Sequence, residues 1–149
     1  MSTFDERRVV RKSIGYVTLD GQILFFTPLE LPDSGAELPG GTLEPDEDPE
    51  AGLLRELEEE TGLTDFGAPE FLGMMEFDPA DDRNEIHNRY FYHVPLRTRA
   101  PATWERVVEE GNGTFTFQFF WVRPDALPAN IHAGHDVFVR TVAARVENT

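Results

Sequence analysis

The stretch from Asp48 to Gly62 limits the fold more than any other part of the chain. In Asp48-Pro49, a carboxylate able to accept hydrogen bonds from free amides precedes a proline whose fixed φ suits the first helical position. Gly62 suits a helix stop. The spacing between them predicts a helix over 49–61. At 3.6 residues per turn, Leu53, Leu54 and Leu57 fall on one arc, and Glu56, Glu59 and Glu60 fall on the adjoining arc within roughly 100°. Such a helix must bury its leucines against another element while holding three carboxylates at the edge of that contact. The like charges of Glu56 and Glu60 at i,i+4 weaken a bare helix by about 0.3 kcal/mol, and a hard cation between them would remove the penalty.

What the leucines pack against is readable as a sheet. The β-branched and aromatic run Val9 to Leu19 is expected as a strand, turning at Asp20-Gly21 into a second strand, Gln22 to Thr27. Pro28 to Ala36 is expected as a loop, and Glu37 to Gly41 as a short apolar piece ending in a flexible turn. Strands are expected at Phe71 to Phe77, His87 to Leu96 and Thr114 to Val122, with a turn at Gly111-Asn112-Gly113. An amphipathic helix is expected over Gly134 to Val146, with Phe138, Val139, Val142 and Val146 on one side. This order gives a mixed sheet flanked by helices, in the α/β or α+β class. A length of 149 residues, 40% of them hydrophobic, suits a single domain spanning 1–149, and neither a repeat nor a linker divides it.

A net charge of −15, with only 13 Lys and Arg, argues against a long nucleic acid as partner, because such binding needs clustered cations. Met1 to Arg11 has no apolar leader core, and no apolar run approaches the roughly 20 residues needed to cross a bilayer. Cysteine is absent, which excludes thiolate metal sites and disulfides and suits a reducing compartment. A soluble, cytoplasmic protein is expected.

Carboxylate oxygens on a compact face select Mg²⁺, Mn²⁺ or Ca²⁺ over Zn²⁺. Asp46-Glu47-Asp48 lacks the alternating ligands and central glycine of an EF-hand loop, so Ca²⁺ buffering is disfavoured. Three glutamates alone would describe an ordinary solvated helix face. Their surroundings decide otherwise. From Gly41 the chain runs through five residues to Glu47, then through seven to Arg55-Glu56-Leu57-Glu58-Glu59-Glu60-Thr61-Gly62-Leu63. This stretch resembles the Nudix box at every fixed position, a coincidence whose chance frequency is on the order of one in a million.

The resemblance implies an α/β/α sandwich and attack of water on a phosphorus of a diphosphate linkage. It implies Glu56, Glu59 and Glu60 as ligands of Mg²⁺, or of Mn²⁺ in its place, with the Gly40 carbonyl as a backbone ligand. Arg55 resembles the residue that orients these carboxylates, with Glu47 as its partner, and Gly41 and Gly62 look structural. An anionic substrate would be repelled by this protein unless divalent ions bridged the two, and ions that did so would also acidify a bound water. Glu56 is expected to accept that water's proton, with Glu60 or a glutamate outside the box as rivals.

Outside the box, Arg83 and Arg89 could contact phosphate or ribose, and Glu85 could add a ligand or base. His87 is not expected to be catalytic. Glu109 and Glu110 are further acidic candidates. Phe115, Phe117 and Phe119, with Trp104 and Trp121, are expected as packing. The favoured function is hydrolysis of a small nucleoside diphosphate derivative: ADP-ribose, a nucleotide sugar, a dinucleoside polyphosphate or a nucleoside triphosphate. Pro79, sixteen residues after Leu63, is a spacing associated with ADP-ribose hydrolases of this family. The alternatives are a non-catalytic ligand sensor or interaction module, and an isomerase or RNA-decapping relative. A homodimer is expected.

Overall fold

Alternation along the strands sorts the apolar side chains onto two faces, and each face receives one helix. The computed structural model describes residues 6–111 and 113–147, so Met1 to Asp5 and the Asn112 of the expected turn lie outside the described residues. Within them the strands are β1 (Arg8–Leu19), β2 (Gln22–Pro28), β3 (Gly40–Thr42), β4 (Glu70–Phe77), β5 (Glu85–Pro95), β6 (Thr103–Glu110) and β7 (Gly113–Val122). Helix α1 (Pro49–Thr61) follows β3, and α2 (Val139–Glu147) follows β7. The sheet runs β4-β5-β1-β2-β7-β6, with β3 beside β1. Among the described strands only β1 and β5 pair in parallel.

On one face, Ile14, Tyr16, Ile23, Phe25 and Phe91 pack with Val139 and Val142 of α2. On the other, Val17, Leu24, Phe26, Tyr92 and Val94 pack with Leu53 and Leu57 of α1. This is the α/β/α arrangement that the residue pattern and the resemblance imply. Burying each of those leucines contributes about 2 kcal/mol and fixes which arc of α1 is left for its carboxylates.

The site is positioned by a split in the sheet. β1 pairs with β2 only at the hairpin end, at Thr18↔Ile23 and Leu19↔Gln22. Farther along, residues 37–42 enter between them. Glu37 exchanges both backbone hydrogen bonds with Phe26 at 2.8 Å, and Gly40, Gly41 and Thr42 pair with Ile14, Ser13 and Lys12. The expected flexible turn at Gly40-Gly41 is therefore corrected: these glycines are strand residues stitched to β1.

Two further expectations are corrected. The last helix begins at Val139 rather than Gly134, because the preceding residues are tied elsewhere. The Tyr16 hydroxyl donates to the His135 carbonyl at 2.6 Å and accepts from the Phe138 amide at 3.0 Å. Strand β6 was not expected at all. It is an edge strand with mostly exposed side chains, so the alternation that marks a half-buried strand is missing. Among the described residues no helix is long and apolar enough to cross a membrane.

Candidate active site

Helix α1 is held at both ends. Asp48 Oδ2 accepts from the Ala51 amide at 3.0 Å, and Gly62, at φ 78°, donates its amide to the Glu58 carbonyl at 3.0 Å. A left-handed residue is needed there, which is why glycine ends the helix. The unexpected strand β6 completes that end: Trp104 Nε1 donates to the Thr61 carbonyl at 2.9 Å and Arg106 Nη2 to the Glu59 carbonyl at 3.0 Å. A cation at this terminus also opposes the helix dipole.

Arg55 organises the acidic face. It grips Glu47 through two hydrogen bonds, Nε to Oε2 at 2.9 Å and Nη2 to Oε1 at 2.8 Å. Its Nη1 donates to Glu56 Oε1 at 3.0 Å and lies 3.5 Å from Glu59 Oε2. The Arg55 bonds, then the Glu44 amide, hold the Glu47 carboxyl at about 2, so Glu47 stays an anchor and takes no part in proton transfer near neutral pH. Glu56 rests on the bare Cα of Gly41, where a Cβ would come within 2.4 Å of its carboxyl carbon.

Glu60 is buried, 4% exposed, and its Oε1 accepts from the Gly40 amide at 3.3 Å. Burial first, then the charge of Glu110, pushes its carboxyl well above the usual range. Burial likewise raises half-buried Glu56, with Arg55 opposing. Two cavities share Glu60 and Glu110. One is a groove of about 280 Å³ that also contains Glu56, Glu59 and Glu109; the other is a recess of about 100 Å³ reaching Lys12, Glu37, Arg89 and His132. A larger cavity, about 740 Å³, lies at the hairpin end of β1 around Asp20, Arg97 and Arg99 and contains none of these carboxylates, so size does not locate the chemistry.

A family model described as the NUDIX domain matches residues 11–142. The chain belongs to the Nudix hydrolase family. No curated protein matches it. Among solved structures it is similar to a MutT NUDIX hydrolase from Burkholderia pseudomallei, with a TM-score of 0.66 and 23% identity over 91% of this chain and 98% of the other. A NUDIX hydrolase from Nitrosomonas europaea gives 0.67 and 17% over 93% and 90%. An ADP-ribose pyrophosphatase from Streptococcus suis 89-1591 gives 0.63 and 16% over 94% and 92%. At these identities the likeness is one of fold.

The donor set of the Nudix helix fits a hard divalent cation: every side-chain donor is a carboxylate oxygen, and buried Glu60 sits among like charges that a cation would relieve. Among the described residues no three acidic or imidazole groups are gathered tightly enough to hold an ion as they stand, and Arg55 occupies Glu56 and approaches Glu59.

Of the residues outside the Nudix box, the structure brings Arg89, Glu109 and Glu110 to the shared cavities and leaves others away. Arg83 pairs with Asp81 at 2.6 Å, and Glu85 pairs with Arg8 and with His87 Nε2, the latter at 3.1 Å. Neither Arg83 nor Glu85 lines either cavity containing Glu60. His87 is buried against Glu85. Pro79 lies in the β4–β5 turn, also outside both cavities. Phe117 and Phe119 are core residues, with Phe115, Trp104 and Trp121 packed against them.

Four residues that the sequence reading left out also line the recess: Lys12, Glu37, His132 and His135. Burial and then the charge of Glu110 push Glu37 up to about 7. His135 Nδ1 accepts from the Leu38 amide at 2.9 Å, fixing the loop before α2 against the box entrance. A usable signal existed for Lys12. It shares the parity of Ile14 and Tyr16, so a lysine stands on the core-facing side of β1, where a charge needs a reason.

Proposed function

We propose that this Nudix protein hydrolyses a diphosphate linkage in a small nucleoside diphosphate derivative, with Mg²⁺ as cofactor and Mn²⁺ able to replace it. The observation that carries the reading is a complete Nudix box whose three metal-type glutamates share one arc of α1, with Arg55 gripping one and approaching another and with Glu60 buried beside a cavity. Glu56, Glu59 and Glu60, with the Gly40 carbonyl, would hold the ion. Bound there, it would neutralise phosphate charge and acidify a water.

The chain's own residues do the rest. Arg55 takes Glu56 Oε1 and leaves Oε2 to accept the proton of the attacking water. Glu47 locks Arg55, and β6 fixes the helix turn that carries Glu59 and Glu60. The reading takes the chain as one domain over 1–149, acting in the cytoplasm as a homodimer, with no long nucleic acid as substrate; light scattering that gives the mass of one chain at all concentrations rejects the dimer.

The decisive experiment is a phosphate-release panel of ADP-ribose, nucleotide sugars, dinucleoside polyphosphates, nucleoside triphosphates and capped RNA, run with Mg²⁺ and with EDTA. Turnover of at least one small substrate, abolished by EDTA, supports the reading. Turnover of capped RNA alone, or of nothing, sinks it.

A further inference from the structure

The recess beside Glu60 contains a juxtaposition that the hydrolytic reading does not use. Lys12 of β1 and Arg89 of β5 are register partners on adjacent parallel strands, and both line the recess. Neighbouring strands lie only about 4.8 Å apart, so two cations stand side by side, and like charges in that relation repel. Neither has a carboxylate within ion-pair reach among the described residues. The Lys12 ammonium makes no hydrogen bond among the described residues. Arg89 is 4% exposed; it donates Nη1 to the Ala133 carbonyl at 2.6 Å and Nη2 to His132 Nε2 at 3.5 Å, and it lies over the Phe77 ring at 3.6 Å. Its Nε is buried without any partner.

A buried guanidinium without a counter-ion is costly, and in a chain of net charge −15 the lack of one is conspicuous. Burial and the charges of Arg89 and Lys12 hold the neighbouring imidazoles of His132 and His135 below their usual range, so these stay neutral and do not add to the repulsion. Glu37 and Glu110 line the same recess and partly offset the two cations. They do so from outside ion-pair distance.

We propose that this recess is an anion subsite that receives the terminal phosphoryl group of the substrate between Lys12, Arg89 and the metal-binding glutamates. The volume, about 100 Å³, matches roughly three waters at ~30 Å³ each, enough for one phosphoryl group and too little for a nucleoside. Buried Ile14, Phe26 and Leu38 line it as well, and a recess with room for only one such group takes an end of a molecule. ADP-ribose, nucleotide sugars and dinucleoside polyphosphates end in bases and sugars. A nucleoside triphosphate ends in a phosphoryl group, so this inference, which rests on the hydrolytic reading, makes nucleoside triphosphates the preferred class.

The test has a binding arm and a turnover arm. Inorganic phosphate is titrated calorimetrically into the Mg²⁺-loaded protein as wild type, Lys12→Met and Lys12→Arg, with melting temperatures taken on each. Lys12 is only half-buried, so its variants should fold; Arg89→Lys provides a second probe that keeps the charge but removes the guanidinium fork. Expected are one phosphate site in the wild type, an affinity at least tenfold weaker in Lys12→Met, and recovery in Lys12→Arg. In turnover, wild type should favour a nucleoside triphosphate over ADP-ribose in kcat/KM, and Lys12→Met should lose more on the triphosphate. Equal phosphate affinity in wild type and Lys12→Met, or turnover of ADP-ribose without any turnover of triphosphates, overturns the subsite. If no diphosphate is cleaved at all, the hydrolytic reading fails while calorimetry still decides whether the anion site exists.

Discussion

The acidic face of α1 and the recess behind it are built in opposite ways. Glu47, Arg55, Glu56 and Glu59 lie within one short stretch, and one guanidinium grips or approaches all three carboxylates. Lys12, Glu37, Glu60, Arg89, Glu110 and His132 come from as many separate stretches, and their charges are left largely unpaired. The first region supports itself locally. The second exists only when the sheet is complete, and its unpaired charges point to a ligand. Glu60 belongs to both.

The sharpest way to break this contrast is within one turn of α1. Glu56→Gln, Glu59→Gln and Glu60→Gln should each lower turnover with Mg²⁺ by about 10²–10⁴, while exposed Glu58→Gln stays close to wild type. In EDTA the melting temperature of Glu60→Gln should equal or slightly exceed that of wild type, because a buried carboxylate among like charges is lost at constant volume, while Glu56→Gln and Glu59→Gln also give up contacts with Arg55 and should stay near wild type. Equal turnover in all four would make the acidic face an ordinary solvated surface.

A second change tests whether the local scaffold matters apart from its charges. Gly41→Ala puts a methyl group 2.4 Å from the Glu56 carboxyl carbon, so that side chain must move. Turnover should fall by roughly 10- to 10²-fold, because misplacing a reacting group is costly even when the fold survives. Unchanged kinetics would show that the position of Glu56 is not set by this contact.

For the recess, pH provides the probe. Burial first, then Arg89, His132 and Lys12, keeps His135 neutral in the native state well below its ordinary titration range. The unfolded chain takes up this proton as pH falls below about 6.5, and the native chain does not, so stability is lost with falling pH at up to ~1.4 kcal/mol per unit. Taken alone, His135 therefore lowers the melting temperature between pH 7 and 5, while the raised carboxyls of Glu37 and Glu60 oppose that drop, so a variant comparison isolates the imidazole. His135→Asn, which keeps an acceptor for the Leu38 amide, should show a smaller drop; an identical profile would remove His135 from the account.

The smallest expected effect lies where the two regions meet. Arg106→Met removes a hydrogen bond to the Glu59 carbonyl and a cation at the helix end, costing about 0.5–1 kcal/mol or ~2–4 °C in melting temperature. Thermal melts that show no change would mean Trp104 holds this end alone.

The same division explains what was legible in the sequence. Helix α1 could be read to the residue because its stop and start signals, Asp48, Pro49 and Gly62, act on their immediate neighbours. The box residues follow from fixed spacings along that helix. The β1–β2 hairpin was equally local, since Asp20 and Gly21 both take positive φ. Strand β6 was not legible: Glu105, Arg106, Glu109 and Glu110 give it the composition of a solvated loop, and only pairing with β7 makes it a strand. Nor could Arg89 be told from Arg83 by composition. The β5 register sends Arg89 to the recess beside Lys12, whereas Arg83 stays in the turn with Asp81. Residues 134–138 read as helix by their apolar spacing, but Tyr16, distant in sequence, claims their polar groups.

The parallel pairing of β1 with β5 also determines when the site can exist. Arg8 meets Glu85 across a separation of 77 residues, with Lys12↔Arg89 one helical turn's worth of sequence farther along the same ladder. Closing so long a loop costs entropy that nearby contacts do not repay, which places the step late and slow on the way to the native state. During synthesis α1, with its leucines and its three carboxylates, leaves the ribosome before the strand that brings Arg89 to the recess. The polypeptide can therefore carry the full Nudix box and still have nowhere to seat a terminal phosphoryl group until β5 has emerged and joined β1.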